Sequence, residues 1–253
     1  MGKLAEQARR DFLKQTVSAA AVATIAPGVF LSEVARAQPR AEAVTDKVRW
    51  GMLIDTTKCA SGCTDCVSAC DKENGLDLLV KPEGAKEDQW AQQRPHWIRQ
   101  VTLKDNLSGR ETNLPLMCQH CEKPPCEDVC PTGASFKRAD GIVMVDRHIC
   151  IGCRYCMMAC PYKARSFIHE NIQAQRVNAP RGKGCVESCT LCVHRLDNGQ
   201  TTTACQDACK HGAIVFGDLK DPGSSVSQAL RKYSSVQIRP DLKLNPGVRY
   251  TNI

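Results

Sequence analysis

Cys150-x2-Cys153-x2-Cys156-x3-Cys160-Pro161 places three thiols within seven residues and holds a fourth back behind a turn and a proline. Cys118-x2-Cys121-x4-Cys126-x3-Cys130-Pro131 repeats the plan with a longer middle gap. Three thiolates so close in sequence can wrap one iron–sulfur cube, while the fourth reaches a neighbouring cube. Two further groups flank this pair: Cys59-x3-Cys63-x2-Cys66-x3-Cys70 before it, and Cys189-x2-Cys192-x12-Cys205-x3-Cys209 after it. The chemistry this spacing serves is single-electron transfer.

Other thiol chemistries fit less well. A structural zinc takes four ligands from two separated pairs rather than three thiols in seven residues. A disulfide scaffold favours even cysteine counts and wider spacing, and the chain has 17 cysteines. No Cys-x-x-Cys is followed by histidine, so covalent haem is excluded. His120 and His194 lie within or beside cysteine groups and read as packing or surface residues, with a hydrogen bond to sulfur as the alternative. No Ser-His-Asp set, glycine-rich phosphate loop or paired-carboxylate site stands out. The chain is therefore expected to carry electrons without a substrate site of its own.

In two-cluster ferredoxins the fourth cysteine of each run serves the other cluster. Applied here, that rule gives four ligand sets, each for one 4Fe-4S cluster. The first is Cys59, Cys63, Cys66 and Cys209, and the second is Cys189, Cys192, Cys205 and Cys70. The third is Cys118, Cys121, Cys126 and Cys160, and the fourth is Cys150, Cys153, Cys156 and Cys130. The x3 gap after Cys59 and Lys210 in place of a proline depart from the pattern in the outer groups. Cys185 is left over. It copies the spacing of Cys59 relative to Cys63 and Cys66, so it either stands in for Cys189 or is a spare buried thiol.

The elements that must hold these groups are short. Trp50 to Asp55 reads as an apolar strand, and Trp97 to Leu103 alternates like a second. Asp140-Gly141 between Ala134–Arg138 and Ile142–Val145 predicts a hairpin. Each cysteine run is expected to curl into a helix just after its third ligand. Cys130-Pro131-Thr132-Gly133-Ala134 and Cys209-Lys210-His211-Gly212-Ala213 match in spacing, which marks an internal repeat. Gly212 to Phe216 reads as a strand, and Ser224 caps a helix running to Tyr233. With aromatic residues at only 5%, inorganic clusters rather than a large apolar core must organise the chain.

The fold class expected is α+β: two interlocked bacterial-ferredoxin-like modules built around four iron–sulfur clusters, with short hairpins and helices and long loops. Residues 51–117 with 181–233 form the outer module, 118–180 the inner module, 38–50 a linker and 234–253 an extended polar tail.

The N-terminus carries Ala8-Arg9-Arg10-Asp11-Phe12-Leu13-Lys14, a mild apolar stretch from Thr16 to Leu31, and Ala35-Arg36-Ala37. This tripartite pattern predicts an export signal over residues 1–37 resembling the twin-arginine type, which carries folded proteins to the periplasm. Folded export lets thiols be ligated before they meet an oxidising compartment. No later run approaches the 18 apolar residues of a spanning helix, so the mature chain is expected to have no transmembrane helix. The net charge is +7. No basic block with interleaved aromatics points to nucleic acid, and the excess can offset anionic clusters.

The four cysteine groups in this order, with Cys130-Pro131-Thr132-Gly133-Ala134 and Cys160-Pro161-Tyr162, resemble the four-cluster electron-transfer subunits of the molybdopterin oxidoreductase family. The similarity covers roughly residues 48–253. The stretches Met117–Cys121 and Ala164–Phe167, with the twin-arginine start, look most like exported subunits of membrane complexes linked to sulfite reductase. That resemblance implies a multi-span, quinone-interacting membrane partner and a multihaem cytochrome or other redox subunit in dissimilatory sulfur metabolism. The alternative it implies is a periplasmic molybdopterin sulfur-oxyanion or polysulfide reductase, served by the same relay.

Overall fold

The first apolar strand sets the frame. The computed structural model describes residues 43–172 and 174–253, so the expected export signal lies outside the described residues. β1 (Trp50–Asp55) begins at the end of the segment expected as a linker, and Met52, Leu53 and Ile54 are buried along it. It lies between two partners. β8 (Ile214–Asp218) runs antiparallel to it, pairing Trp50 with Asp218 and Ile54 with Ile214, and β9 (Val248–Thr251) runs parallel, pairing Met52 with Val248. Trp50 stacks on Phe216 with ring centroids 5.3 Å apart.

β9 corrects the expectation of a polar tail over 234–253. Val248 and Tyr250 alternate inward and are fully buried, although the residues around them are polar. A Cβ on Gly51 would strike the Gly247 carbonyl oxygen and the Leu219 side chain, so glycine there allows β9 to approach β1.

Three two-stranded sheets complete the β structure among the described residues. β2 (Ile98–Lys104) pairs with β3 (Glu111–Met117) from Ile98↔Met117 to Lys104↔Glu111. Pro115 is accommodated because a two-stranded ribbon leaves one side of each strand without ladder hydrogen bonds. β4 (Ser135–Lys137) and β5 (Val143–Val145) form the expected hairpin, with Gly141 at φ +85° in its turn. β6 (Ser166–Phe167) pairs with β7 (Val186–Glu187).

The helices are short, and most contain or follow a cysteine. α1 (Asp65–Asn74) contains Cys66 and Cys70 and ends at Gly75, whose φ of 67° supplies the left-handed cap. α2 (Glu87–Gln93) is exposed. α3 (Pro125–Asp128), α4 (Tyr155–Ala159) and α6 (Ala204–Asp207) contain Cys126, Cys156 and Cys205, while α5 (Val193–Asp197) follows Cys192. The third cysteine of each run therefore sits inside the first turn of its helix rather than just before it. α7 (Ser225–Lys232) is capped as expected, with Ser224 Oγ accepting from the Ser227 backbone N–H at 3.2 Å, and buries Val226 against β8.

Thiols dominate the interior. Cys66, Cys70, Cys118, Cys121, Cys126, Cys156, Cys160, Cys189 and Cys205 belong to the same buried cluster as Met52, Ile54, Trp97, Met117 and Tyr250. The fold is α+β and consistent with ferredoxin-like modules whose core is arranged around sulfur.

Candidate iron–sulfur sites

The fourth set is the most open. Cys130, Cys150, Cys153 and Cys156 line one pocket. Gly152, between two of these thiols, has φ +69°, and a Cβ there would collide with the Gly184 carbonyl oxygen. Only glycine lets the loop double back so tightly. Cys130 Sγ accepts from the Ser135 backbone N–H at 3.3 Å. Burial raises its pKa, but that N–H and the Thr132 hydroxyl outweigh it and leave the thiol below its ordinary value. Cys153 is exposed, and Ile149, Ile151, Tyr155 and Met158 nearby in sequence are exposed apolar side chains.

The second set is its buried counterpart. Cys70, Cys189, Cys192 and Cys205 line one pocket beside Met52, Trp97 and Met117. Burial drives the Cys70 and Cys189 thiols well above their ordinary range and pushes Cys192 up to about 12. Sulfur-directed donors surround them: Ala204 N–H to Cys192 at 3.5 Å, Leu191 N–H to Cys189 at 3.5 Å, and Asn74 Nδ2 to Cys70 at 3.5 Å.

The first and third sets are recognised by mutual electrostatics. Burial raises Cys66 to about 12, and Cys205, Cys59, Cys209 and Cys63 all push it the same way. Gln100 Nε2 donates to Cys59 Sγ at 3.1 Å, and the Ala213 N–H to Cys209 Sγ at 3.3 Å. The repeat seen in sequence is thus a repeat of geometry, since Gly212 and Gly133 both take positive φ after their cysteine. In the third set burial pushes Cys118 and Cys121 to about 12, with Cys126 and Cys160 as anionic neighbours of each. Arg165 Nη2 donates to Cys126 Sγ at 3.0 Å.

Neighbours between sets give their order. Cys205 presses on Cys66, Cys118 on Cys189, and Cys126 on Cys156. The sets therefore run first, second, third, fourth. All thiols of the second and third sets are buried, whereas each end set has thiols reaching the surface. Cys185 does not join Cys189. It lies beside Cys150, and its Sγ donates to the Arg147 carbonyl at 3.3 Å.

The donor sets suit clusters. All 17 sulfurs are unbonded to one another. Among the described residues no three His, Cys, Asp or Glu side chains converge to hold a single ion. Thiols that ring a space, with N–H groups aimed at their sulfurs, match the corners of a cube carrying negative charge. Sequence reasoning missed Arg165, Gln100, Asn74 and Trp97, which come from outside the cysteine runs. The two histidines are resolved: His120 is buried, with Nδ1 accepting from the Val143 N–H at 3.0 Å, and His194 pairs with Glu73 at 2.7 Å near the surface.

Such an arrangement defines a multi-cluster iron–sulfur protein. A family profile described as "4Fe-4S dicluster domain" matches residues 111–219. Iron–sulfur subunit 1 of the Hdr-like menaquinol oxidoreductase of Archaeoglobus fulgidus is 40% identical, over 97% of this chain and 98% of that protein. A tetrathionate reductase subunit of Salmonella typhimurium is 34% identical, over 98% of this chain and 89% of its own. The iron–sulfur cluster-binding subunit of the menaquinone reductase of Nitratidesulfovibrio vulgaris is 32% identical, over 81% and 89%. The chain belongs to the iron–sulfur electron-transfer subunits of the molybdopterin oxidoreductase family, and it binds 4Fe-4S clusters. Among the described residues no helix is long and apolar enough to cross a membrane.

Proposed function

We propose that the chain is a periplasmic relay that passes single electrons through four 4Fe-4S clusters, one held by each cysteine set. In this reading it joins a quinone-interacting membrane subunit or multihaem cytochrome to a partner redox subunit of dissimilatory sulfur metabolism, as in the Dsr complex whose exported iron–sulfur subunit is DsrO. Residues 1–37 direct folded export, and residues 51–117 with 181–233 and 118–180 form the two interlocked modules.

The observation that carries the reading is the line of four thiol sets with two buried in the middle and one surfacing at each end. Each cluster, when bound, takes up and returns one electron. The protein supplies the spacing, excludes water from the two inner sites, and points N–H donors at the sulfurs that gain charge. Such donors and nearby cations raise the reduction potential. The quinone partner is supported by relatives named as menaquinol and menaquinone oxidoreductase subunits.

The likeness to a tetrathionate reductase subunit favours the second reading, a relay for a periplasmic molybdopterin enzyme. Anaerobic isolation of the native assembly separates the two. A membrane subunit and a cytochrome without molybdenum supports the first. A stoichiometric molybdopterin subunit supports the second and sinks the first.

A further inference from the structure

Arg165 is 5% exposed, yet among the described residues no carboxylate pairs with it. The contrast is Arg181, also buried, whose Nε lies 2.9 Å from a Glu187 oxygen. A buried guanidinium without an acid is strongly disfavoured unless another anion offsets it. The groups around Arg165 are sulfurs. Nη2 donates to Cys126 Sγ at 3.0 Å and to Ser135 Oγ at 2.8 Å. The same guanidinium reaches the Cys156 thiol, and Cys118 lies within its field. Nη1 is buried with no acceptor from the protein. His120 adds no charge, because its Nδ1 accepts from the Val143 N–H at 3.0 Å and so carries no proton of its own.

Cys118 and Cys126 belong to the third set, and Cys156 to the fourth. We propose that Arg165 is a shared positioning residue of two clusters. Its Nη2 donates to a cysteine of one set, the same guanidinium reaches a cysteine of the other, and its free Nη1 N–H would be available to an inorganic sulfide of a bound cluster. This rests on the assignment of those two ligand sets under the proposed function. A cation shared in this way stabilises the extra electron on whichever of the two centres holds it. It therefore raises both reduction potentials.

The test is an EPR-monitored redox titration of the anaerobically prepared full holoprotein, alongside Arg165→Gln and Arg165→Lys. Two of the four reduction steps should fall at least tenfold in equilibrium constant in Arg165→Gln, about 59 mV or more for one electron. The other two should stay, and Arg165→Lys should recover most of the change. With full iron content, a shift of none, one or all four steps overturns the proposal. If Arg165→Gln does not retain iron, hyperfine spectroscopy of wild type bearing 15N-labelled arginine decides. Nitrogen coupling to two distinct reduced centres supports the sharing, and coupling to one or none refutes it. A wild-type protein lacking the two centres would instead defeat the underlying assignment of ligand sets, a separate and recognisable failure.

Discussion

Replacing Tyr250 by phenylalanine removes one oxygen from the point where the last strand meets the floor of the cluster sites. The Tyr250 hydroxyl donates to the Pro115 carbonyl at 3.1 Å and accepts from Gln119 Nε2 at 3.1 Å, and the side chain is fully buried. Gln119 keeps its second bond, to the Met117 carbonyl at 2.8 Å. The variant leaves one acceptor and one N–H without their partner in a dry interior. Each unpaired buried group costs roughly 1–3 kcal/mol, so the pair amounts to about 2–6 kcal/mol. For a chain of this size that lowers the unfolding midpoint by about 4–24 °C. The assay is thermal unfolding of anaerobic holoprotein at a fixed scan rate, followed by circular dichroism and by loss of cluster absorbance, since such unfolding is irreversible. Adding Gln119→Leu should cost less than the sum of the single changes, because the two residues share a bond. A midpoint unchanged within about 1–2 °C would refute the idea that the Tyr250 hydroxyl ties the C-terminal strand to Pro115 and Gln119 in a dry interior.

Other expectations follow from the same geometry. Cys156→Ala should remove one cluster, lowering iron by about four atoms per chain, and break the relay; full iron content would show that Cys156 is not a ligand. Cys185→Ala should leave iron unchanged, because Cys185 stands beside Cys150 outside the four sets; loss of a cluster would make it a ligand after all. Glu73 is held at a pKa of about 2 by its hydrogen bonds from Arg195, opposed by burial and aided by His194. A depressed carboxyl pKa stabilises the fold fully above the unfolded value of about 4.3, and that gain is lost only as pH falls towards about 2. Glu73→Gln should therefore destabilise the holoprotein by roughly 1–3 kcal/mol, with a deficit that does not shrink from pH 8 to pH 5. A deficit that shrinks within that window would contradict the assignment.

The cysteine runs were legible because their spacing is a local constraint: in three of the four groups the first three cysteines lie within nine residues. The fourth ligand follows from the alternating rule, and the structure places Cys130 with the Cys150 run and Cys70 with the Cys189 run. Strand β1, the hairpin at Gly141 and the Ser224 cap were likewise written in adjacent residues. What could not be read is non-local. Val248-Arg249-Tyr250-Thr251 is too short and too polar to announce a strand, and it becomes one through parallel pairing with β1. Pro115 disguises β3. Ala164-Arg165-Ser166 carries no mark of a buried cation. The order of the sites depends on Cys118 lying near enough to Cys189 to raise its pKa, a proximity no spacing encodes.

The central claim is that sulfur-ringed spaces, rather than zinc ions or cystine bridges, organise this polypeptide into a conducting line. The direct measurement is iron and acid-labile sulfide per chain in anaerobically reconstituted mature protein, with spin quantitation after dithionite reduction. About 16 iron and 16 sulfide, from four cubes of four, is the result the account requires. A colourless protein loaded with zinc, or one holding far fewer iron atoms after full reconstitution, would contradict it.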